Sequence, residues 1–179
     1  MECIRLIDDR MVVEFRWENV FAYLGYRNVI ASALMTRLFV RAFAELAPET
    51  PPDRDELSML VAFPGSGIIE AVELITRLPT RHPDRFIVDT AAGPERAPAA
   101  PEGRFYFEVG LGTVRNAFVF SPTVLDDAFR SMVMQYEGRR LAEDDDHAYR
   151  RFKMGKVREI LDCPDSDLFA ACDVEVPLN

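Results

Sequence analysis

Apolar residues recur with a spacing close to 3.6 in two segments of the first half of the chain, which predicts two buried helices. The first helix begins at Asn28, stops before Pro48 and presents an apolar face formed by Ile30, Leu34, Leu38, Phe39 and Ala42. The second follows the turn "PGSG" and stops before Pro79. Short apolar runs that predict strands follow each helix, "LSMLVAF" and then "DRFIVDT". The expected order is helix, strand, helix, strand.

Alternation of side chains indicates a pair of strands in the second half. In "RFYFEVG" three apolar residues alternate with Arg104, Tyr106 and Glu108, and "NAFVFS" follows a "GLGT" turn. This pattern predicts a hairpin with one buried face. Residues 3–13 favour a small hairpin or an edge strand, and residues 91–103, rich in Ala and Pro, predict an exposed loop that could act as a lid.

The C-terminal part is predicted to be helical over about residues 121–161. Ser121 or Thr123 can cap its start, and Gly138 is expected to break it into two helices. A short terminal strand is expected over about residues 168–177. With 179 residues, the whole chain, 1–179, is most simply a single domain.

The charge of the chain limits its partners. The formal net charge is -9, which disfavours nucleic acid and anionic membrane surfaces. The N-terminal "MECIRLIDDR" has acids where a signal peptide needs bases, and no apolar run approaches the ~20 residues of a membrane span. We therefore expect a cytoplasmic protein that does not bind nucleic acid or membranes.

The cysteines and histidines do not form a metal-binding motif. Cys3, Cys163 and Cys172 include no C-x-x-C pair, so reduced thiols are expected rather than a disulfide framework or a zinc site. His147 follows three consecutive aspartates, but consecutive residues of a helix point in different directions, and an acidic helix start explains them better.

Three stretches together resemble the FmdE family, which takes its name from a component of formylmethanofuran dehydrogenase. The C-terminal "REILDCPDSDLFAACDVEVPL" is similar to that family's ending, and "DELSMLVAFPGSGIIEAVELITR" is similar to its strand, small-residue turn and helix. "AYLGYRNVIASAL" stands where the family carries a Phe-His-Gly-His-x-Cys-Pro motif before its first long helix. The resemblance covers nearly the whole chain.

The residues that define the family's metal site are missing here. With Gly25 matched to the glycine of the motif, Leu24 and Tyr26 replace the two histidines and Asn28 replaces the cysteine; Ser66 replaces the cysteine of the second motif. An alternative alignment that puts "FRWEN" over the motif also supplies no His or Cys. Neutral tyrosine, asparagine and serine are poor ligands for soft metals, so we expect no metal and no cofactor.

The resemblance implies an α+β fold in which a mixed or mostly antiparallel sheet packs against helices. It also implies a homodimer, because members of the family are typically dimeric.

The resemblance further implies that the turn before the first helix frames a pocket. Two helix N-termini, at Asn28 and at "GSG", would face one cavity, where free N–H groups and helix dipoles favour an anion. Arg27 can clamp a carboxylate through two parallel hydrogen bonds. We expect the substrate-binding residues to be Tyr23, Arg27, Asn28, Ser66 and Tyr106.

Proton transfer in this pocket is assigned to Tyr26 and Glu70. Glu70 lies one turn into the second helix, where its carboxylate can act as a general base or simply interact favourably with the helix N-terminus. Ser66 is expected to cap the helix rather than act as a nucleophile, because "FPGSG" lacks the G-x-S-x-G spacing of many serine hydrolases.

Two functions remain open. The first is a metal-independent FmdE-like enzyme that acts on a small anionic, carboxylated metabolite by acid–base chemistry. The alternative is a non-catalytic small-molecule-binding or accessory subunit of the same ancestry, in which the metal ligands have simply been lost.

Overall fold

A five-stranded mixed sheet lies at the centre of the computed structural model, which describes residues 3–172. Its strand order is β4 (Phe86–Val88), β3 (Leu57–Val61), β5 (Tyr106–Leu111), β6 (Val114–Phe120) and β7 (Phe169–Ala170). Only the β3–β4 pair is parallel. Together with the helices, this arrangement confirms the predicted α+β fold with a mixed, mostly antiparallel sheet.

The N-terminal part forms a separate two-stranded sheet and two helices. Strands β1 (Ile4–Asp8) and β2 (Met11–Phe15) form an antiparallel hairpin, as predicted. Helix α1 (Trp17–Leu24) was not predicted. Helix α2 (Val29–Leu46) ends before Pro48, as expected from the apolar spacing, and it packs against α1 and the central sheet.

Helix α3 (Ser66–Thr76) leaves β3 through the "PGSG" turn, as predicted. It is followed by the one-turn helix α4 (Leu78–Arg81), which includes Pro79. Pro is tolerated in a first helical turn because its missing N–H would have no partner inside the helix. The strand predicted over "DRFIVDT" is shorter than expected, with three residues in β4.

The C-terminal segment forms α5 (Asp127–Tyr136), α6 (Glu143–Asp162) and the one-turn α7 (Asp165–Leu168). The break at Gly138 is confirmed. The predicted helix start near residue 121 is wrong. Asp126 caps α5, because its side chain accepts a hydrogen bond of 2.7 Å from the backbone N–H of Phe129. The hydroxyls of Ser121 and Thr123, the predicted caps, contact each other instead. Of the strand expected over 168–177, β7 is described, and residues 173–179 lie outside the described part.

The two faces of the sheet are covered differently. Alternate residues of the central strands, such as Met59, Phe107 and Phe120, belong to the main core together with α2 and α3. The opposite face carries a small cluster in which Tyr106 and Val119 pack with Ala97 of the 91–103 loop. The 91–103 loop therefore covers part of this second face of the sheet. On the side of the main core, the helices leave an opening at the N-termini of α2 and α3.

Within residues 3–172, none of the helices combines the length and the apolar character needed to cross a membrane.

Candidate functional site

A cavity of about 210 Å³ opens between the N-termini of α2 and α3 and the C-terminal helices α5 and α6. Asn28 and the Gly65–Ser66–Gly67 turn line it, so the two turns singled out in the sequence meet at one cavity. Its floor is apolar and is formed by Ile30, Leu34, Phe63, Ile68, Phe105, Phe129 and Val133. We refer to it as the main cavity.

Gly67 explains why the two helix N-termini lie so close together. A Cβ atom at this position would lie 2.7 Å from Cβ of Asn28 and 2.8 Å from Cβ of Ala31. Contacts this short do not occur between real Cβ atoms, so only glycine allows the first turns of α2 and α3 to approach at this distance. The missing side chain thus shapes one wall of the main cavity.

The side chains of Asn28 and Ser66 do not cap their helices as predicted. Asn28 occupies the cap position of α2, but its Nδ2 atom donates a hydrogen bond of 3.1 Å to Oε2 of Glu70. Gly65 occupies the cap position of α3, and Ser66 is the exposed first residue of that helix. The amide of Asn28 therefore links α2 to α3, and the hydroxyl of Ser66 is directed to no helix N–H.

Two arginines lie at the mouth of the main cavity. The side chain of Arg27 is 75% exposed, and its Nε atom lies 3.9 Å from Oε1 of Glu137, a long and solvated ion pair. Arg130 of α5 is exposed, and its side chain has no hydrogen bond or ion pair with residues 3–172. In a chain of net charge -9, this mouth can attract an anion.

A polar cluster that was not predicted from the sequence lies on α6 and at the C-terminal end of α5. The Nζ atom of Lys153 donates hydrogen bonds to the backbone carbonyls of Tyr26, at 3.1 Å, and Arg27, at 3.4 Å. Its neighbour Tyr149, one turn earlier on α6, donates a hydrogen bond of 2.8 Å from its hydroxyl to Oε2 of Glu137. All three side chains line the main cavity.

Burial changes the ionisation of this cluster. Lys153 is only 9% exposed, and desolvation lowers the pKa of its amine, although the charge of Glu137 acts in the opposite direction. Desolvation and the hydrogen bond to Glu137 raise the pKa of the Tyr149 hydroxyl well above its usual range. At neutral pH the tyrosine therefore holds its proton, and the lysine loses its proton more easily than an exposed lysine.

The structure brings some of the predicted site residues together and separates others. Arg27, Asn28 and Ser66 line the main cavity. Glu70 does not line it, although its carboxylate is reached by Asn28. Tyr23 and Tyr26 are more than half exposed, and Tyr26 lines an adjacent polar cleft instead.

Tyr106 lies away from the main cavity, in the small cluster on the opposite face of the sheet. Its hydroxyl donates a hydrogen bond of 2.7 Å to Oε1 of Glu108, and burial together with this bond raises the pKa of the phenol. Tyr106 is therefore a neutral packing residue that cannot contact a ligand in the main cavity. The sequence-based assignment of Tyr106 as a substrate-binding residue is not supported by this position.

The donor set does not fit the metal that the family resemblance implies. Leu24, at one of the two histidine positions, is buried in the apolar core, and Tyr26 at the other is exposed. Among residues 3–172, no group of three His, Cys, Asp or Glu side chains is placed to hold a metal ion.

The sequence matches no model of a known protein family, and no curated protein matches it significantly.

Proposed function

We propose that this protein is a metal-independent enzyme of FmdE-like ancestry that binds a small carboxylated metabolite in the main cavity. The observation that carries the proposal is the combination of an apolar floor with a mouth that holds two arginines and two helix N-termini. A ligand with a carboxylate at one end and an apolar body matches both parts.

The two ends of the cavity favour different parts of such a ligand. Arg27 and Arg130 can each donate two hydrogen bonds to a carboxylate, and among residues 3–172 neither is held by a close carboxylate. Phe105, Phe129 and Ile30 can pack against the apolar body. The volume of about 210 Å³ is below the ~300–1,000 Å³ of typical ligand pockets, which suits a small metabolite.

The acid–base chemistry is best assigned to the cluster of Lys153, Tyr149 and Glu137. These three side chains line the cavity and include a proton donor hydrogen-bonded to a carboxylate. Tyr26 and Glu70, the residues expected from the sequence, do not line it. The pocket and the ligand class are therefore those expected from the sequence, and the reacting groups are proposed to be side chains of α6 and of the α5 C-terminus.

One observation favours the alternative of a non-catalytic binding or accessory subunit. Glu70 is hydrogen-bonded to Asn28 and Tyr26 is exposed, so the two residues predicted for catalysis do not face each other across a ligand. A binding protein needs only the cavity and its arginines. Measured turnover of a carboxylate that binds would separate the two functions.

The ligand class is tested by isothermal titration calorimetry with phenylacetate and with 2-phenylethanol as its uncharged counterpart. We expect the carboxylate to bind and the alcohol to bind more weakly. Arg27→Ala combined with Arg130→Ala should weaken phenylacetate binding by about tenfold or more, since a charge-assisted hydrogen bond contributes ~1.5–3 kcal/mol. Equal binding of the two compounds would contradict the proposal.

The matched control is Arg5→Ala. Arg5 is an exposed arginine on the β1–β2 hairpin, paired with Glu14, and it does not line the main cavity. The substitution removes one positive charge from the molecule at a distance from the mouth, so phenylacetate affinity should stay unchanged. A loss of affinity in this control would indicate a general charge effect rather than a carboxylate site.

A cytoplasmic location and a homodimeric state belong to the same proposal. The homodimer is supported by the family resemblance and by the exposed aromatic rings of Tyr23 and Tyr26 near the turn between α1 and α2. Light scattering over a series of protein concentrations should give the mass of a dimer, and a monomer at every concentration would contradict it.

A further inference from the structure

Lysine is rare in this chain, and its two positions are informative. Nineteen of the 21 basic residues are arginine, and the two lysines, Lys153 and Lys156, lie on one helix. Arginine keeps its proton in proteins, whereas a buried lysine can lose it and act as a nucleophile. The main cavity is therefore lined by the one kind of basic residue that can form a covalent bond with a carbonyl compound.

The surroundings of the Lys153 amine differ from those of a lysine in an ion pair. Its side chain is buried in the cavity wall, and its hydrogen-bond acceptors are two backbone carbonyls. No carboxylate of residues 3–172 forms an ion pair with it. In contrast, Nζ of Lys156 lies 2.8 Å from Oε2 of Glu159, and Lys156 does not line the main cavity.

The charges around Lys153 act in both directions. Glu137 and Asp146 favour the protonated amine, as does the ring of Tyr149, whose centroid lies 4.9 Å from Nζ. Burial, Arg150 and Arg27 disfavour it, and burial is the largest of these effects, so the pKa of the amine is lowered. A neutral amine keeps two hydrogens, one for each carbonyl, and its lone pair is then free to react.

We infer that Lys153 forms an imine with the carbonyl carbon of a small 2-oxo acid bound in the main cavity. The inference rests on the proposed function, because the carboxylate of the ligand is the group held at the mouth. In a 2-oxo acid the carbonyl carbon is bonded directly to the carboxylate. Lys153 bonds to the backbone of Arg27, the residue proposed to hold that carboxylate, and both residues line the main cavity.

Imine formation needs no reagent other than the Lys153 amine and the 2-oxo acid. The amine nitrogen of Lys153 attacks the carbonyl carbon and forms a C–N bond, and a proton moves from nitrogen to the former carbonyl oxygen to give a carbinolamine. Loss of water then forms the C=N bond; the oxygen of this water comes from the carbonyl and both of its hydrogens come from the amine. The Tyr149 ring lies beside the amine, with its centroid 4.9 Å from Nζ, and its hydroxyl keeps its proton at neutral pH and is hydrogen-bonded to Glu137, so this pair can relay protons during these steps.

The experiment uses the full chain with 2-oxobutyrate and sodium cyanoborohydride, which reduces an imine to a stable secondary amine. Mass spectrometry of the intact protein and of its peptides then locates the added group. The possible acceptors are Lys153, Lys156 and the N-terminal amine. We expect the label on Lys153 of the wild type, its loss in Lys153→Arg, and unchanged labelling of Lys153 in the matched control Lys156→Arg.

A binding measurement separates this inference from the proposed function. Calorimetry with 2-hydroxybutyrate, which has the carboxylate but no carbonyl, reports on the carboxylate site alone. Binding of both acids without label on Lys153 would overturn the imine and leave the proposed function standing. If neither acid binds and no label forms, the proposed function fails and the imine with it.

Labelling spread equally over both lysines and the N-terminal amine would also overturn the inference, because it would mean that the surroundings of Lys153 give it no special reactivity. Peptide mapping of the wild type gives this answer without any variant. Circular dichroism of Lys153→Arg shows whether its loss of label reflects the missing amine or a missing fold.

Discussion

Replacing Gly67 with alanine tests the contact that holds the two helix N-termini at the main cavity. The new Cβ would lie 2.7 Å from Cβ of Asn28 and 2.8 Å from Cβ of Ala31. Carbon atoms pack best at ~3.5–4.0 Å, so the gap must widen by roughly 1 Å. Both neighbours are Cβ atoms fixed to the α2 backbone, and neither can rotate out of the way.

The expected cost follows from this overlap. Forcing an extra carbon into a packed interior typically costs ~1–3 kcal/mol. Alanine regains part of this, since it is favoured over glycine by up to ~1 kcal/mol inside a helix and by less in the first turn, where Gly67 lies. We expect a net loss of about 1–2 kcal/mol, which lowers the melting temperature by roughly 2–8 °C for a chain of this size.

Gly155→Ala is the matched control, since it makes the same chemical change without the contact. Gly155 is exposed within α6, and nothing lies within 4 Å of a Cβ built there. Alanine at this position should stabilise the protein by about 0.5–1 kcal/mol. Thermal unfolding followed by circular dichroism should thus move in opposite directions for the two variants.

The outcome that would refute the reasoning is a rise in melting temperature for both alanine variants, because the close approach of α2 and α3 would then be absent. Calorimetry adds a second measurement. If the α2–α3 contact shapes the cavity, Gly67→Ala should also weaken the binding of phenylacetate, and Gly155→Ala should not.

Two further predictions concern the ion-pair network that ties the N-terminal hairpin to α3. The Arg54 side chain is 6% exposed; it donates a hydrogen bond to the backbone carbonyl of Ile75 and pairs with Asp8. Arg54→Met should therefore lower the free energy of unfolding, measured with urea, by ~3 kcal/mol. This is the low end of the range for a broken buried ion pair, because Arg81 still pairs with Asp8. The hydrogen bond from Arg81 and the charges of Arg54 and Arg81 lower the pKa of Asp8. The ionised Asp8 carboxylate therefore stabilises the folded protein fully above its ordinary pKa of 3.8, and this stabilisation is lost as the pH falls through the lowered pKa. The stability difference between the wild type and Asp8→Asn should therefore shrink with falling pH below 3.8; a difference that stays constant down to acid unfolding would contradict this assignment.

The elements that could be predicted from the sequence are those in which apolar side chains recur at a regular spacing. The apolar residues of α2 follow the helical period, and alternate residues of β5 and β6 belong to the main core, so both gave clear patterns. The expectation of a single buried face is wrong for β5, because Tyr106 and Glu108 on its other face are buried as well. Helix α1 was missed because its N-cap is Arg16, which is not a typical cap residue. The side chain of Asn19 accepts a hydrogen bond from the Arg16 backbone N–H instead.

The candidate site could be predicted only where its residues lie next to helix starts. Arg27, Asn28 and Ser66 lie within two residues of the first residue of a helix, and such positions can be identified from the local sequence. Lys153 could not be found in this way, because its hydrogen bonds join it to residues 126 and 127 positions earlier in the chain. The spacing of four between Tyr149 and Lys153 places them on one face of a helix, but that spacing alone is common.

The contacts of Lys153 give it two roles, and these can be separated. Its amine holds the carbonyls of Tyr26 and Arg27, and therefore fixes the turn that carries the Arg27 side chain. A substitution that removes every donor, such as Lys153→Met, would release this turn and could weaken carboxylate binding without any covalent chemistry. Arginine keeps donors for both carbonyls and cannot form the imine. Lys153→Arg should therefore bind 2-hydroxybutyrate with nearly wild-type affinity while losing the 2-oxobutyrate label. A variant that loses both would show that arginine does not hold the turn, and the label on wild-type Lys153 would then decide the imine.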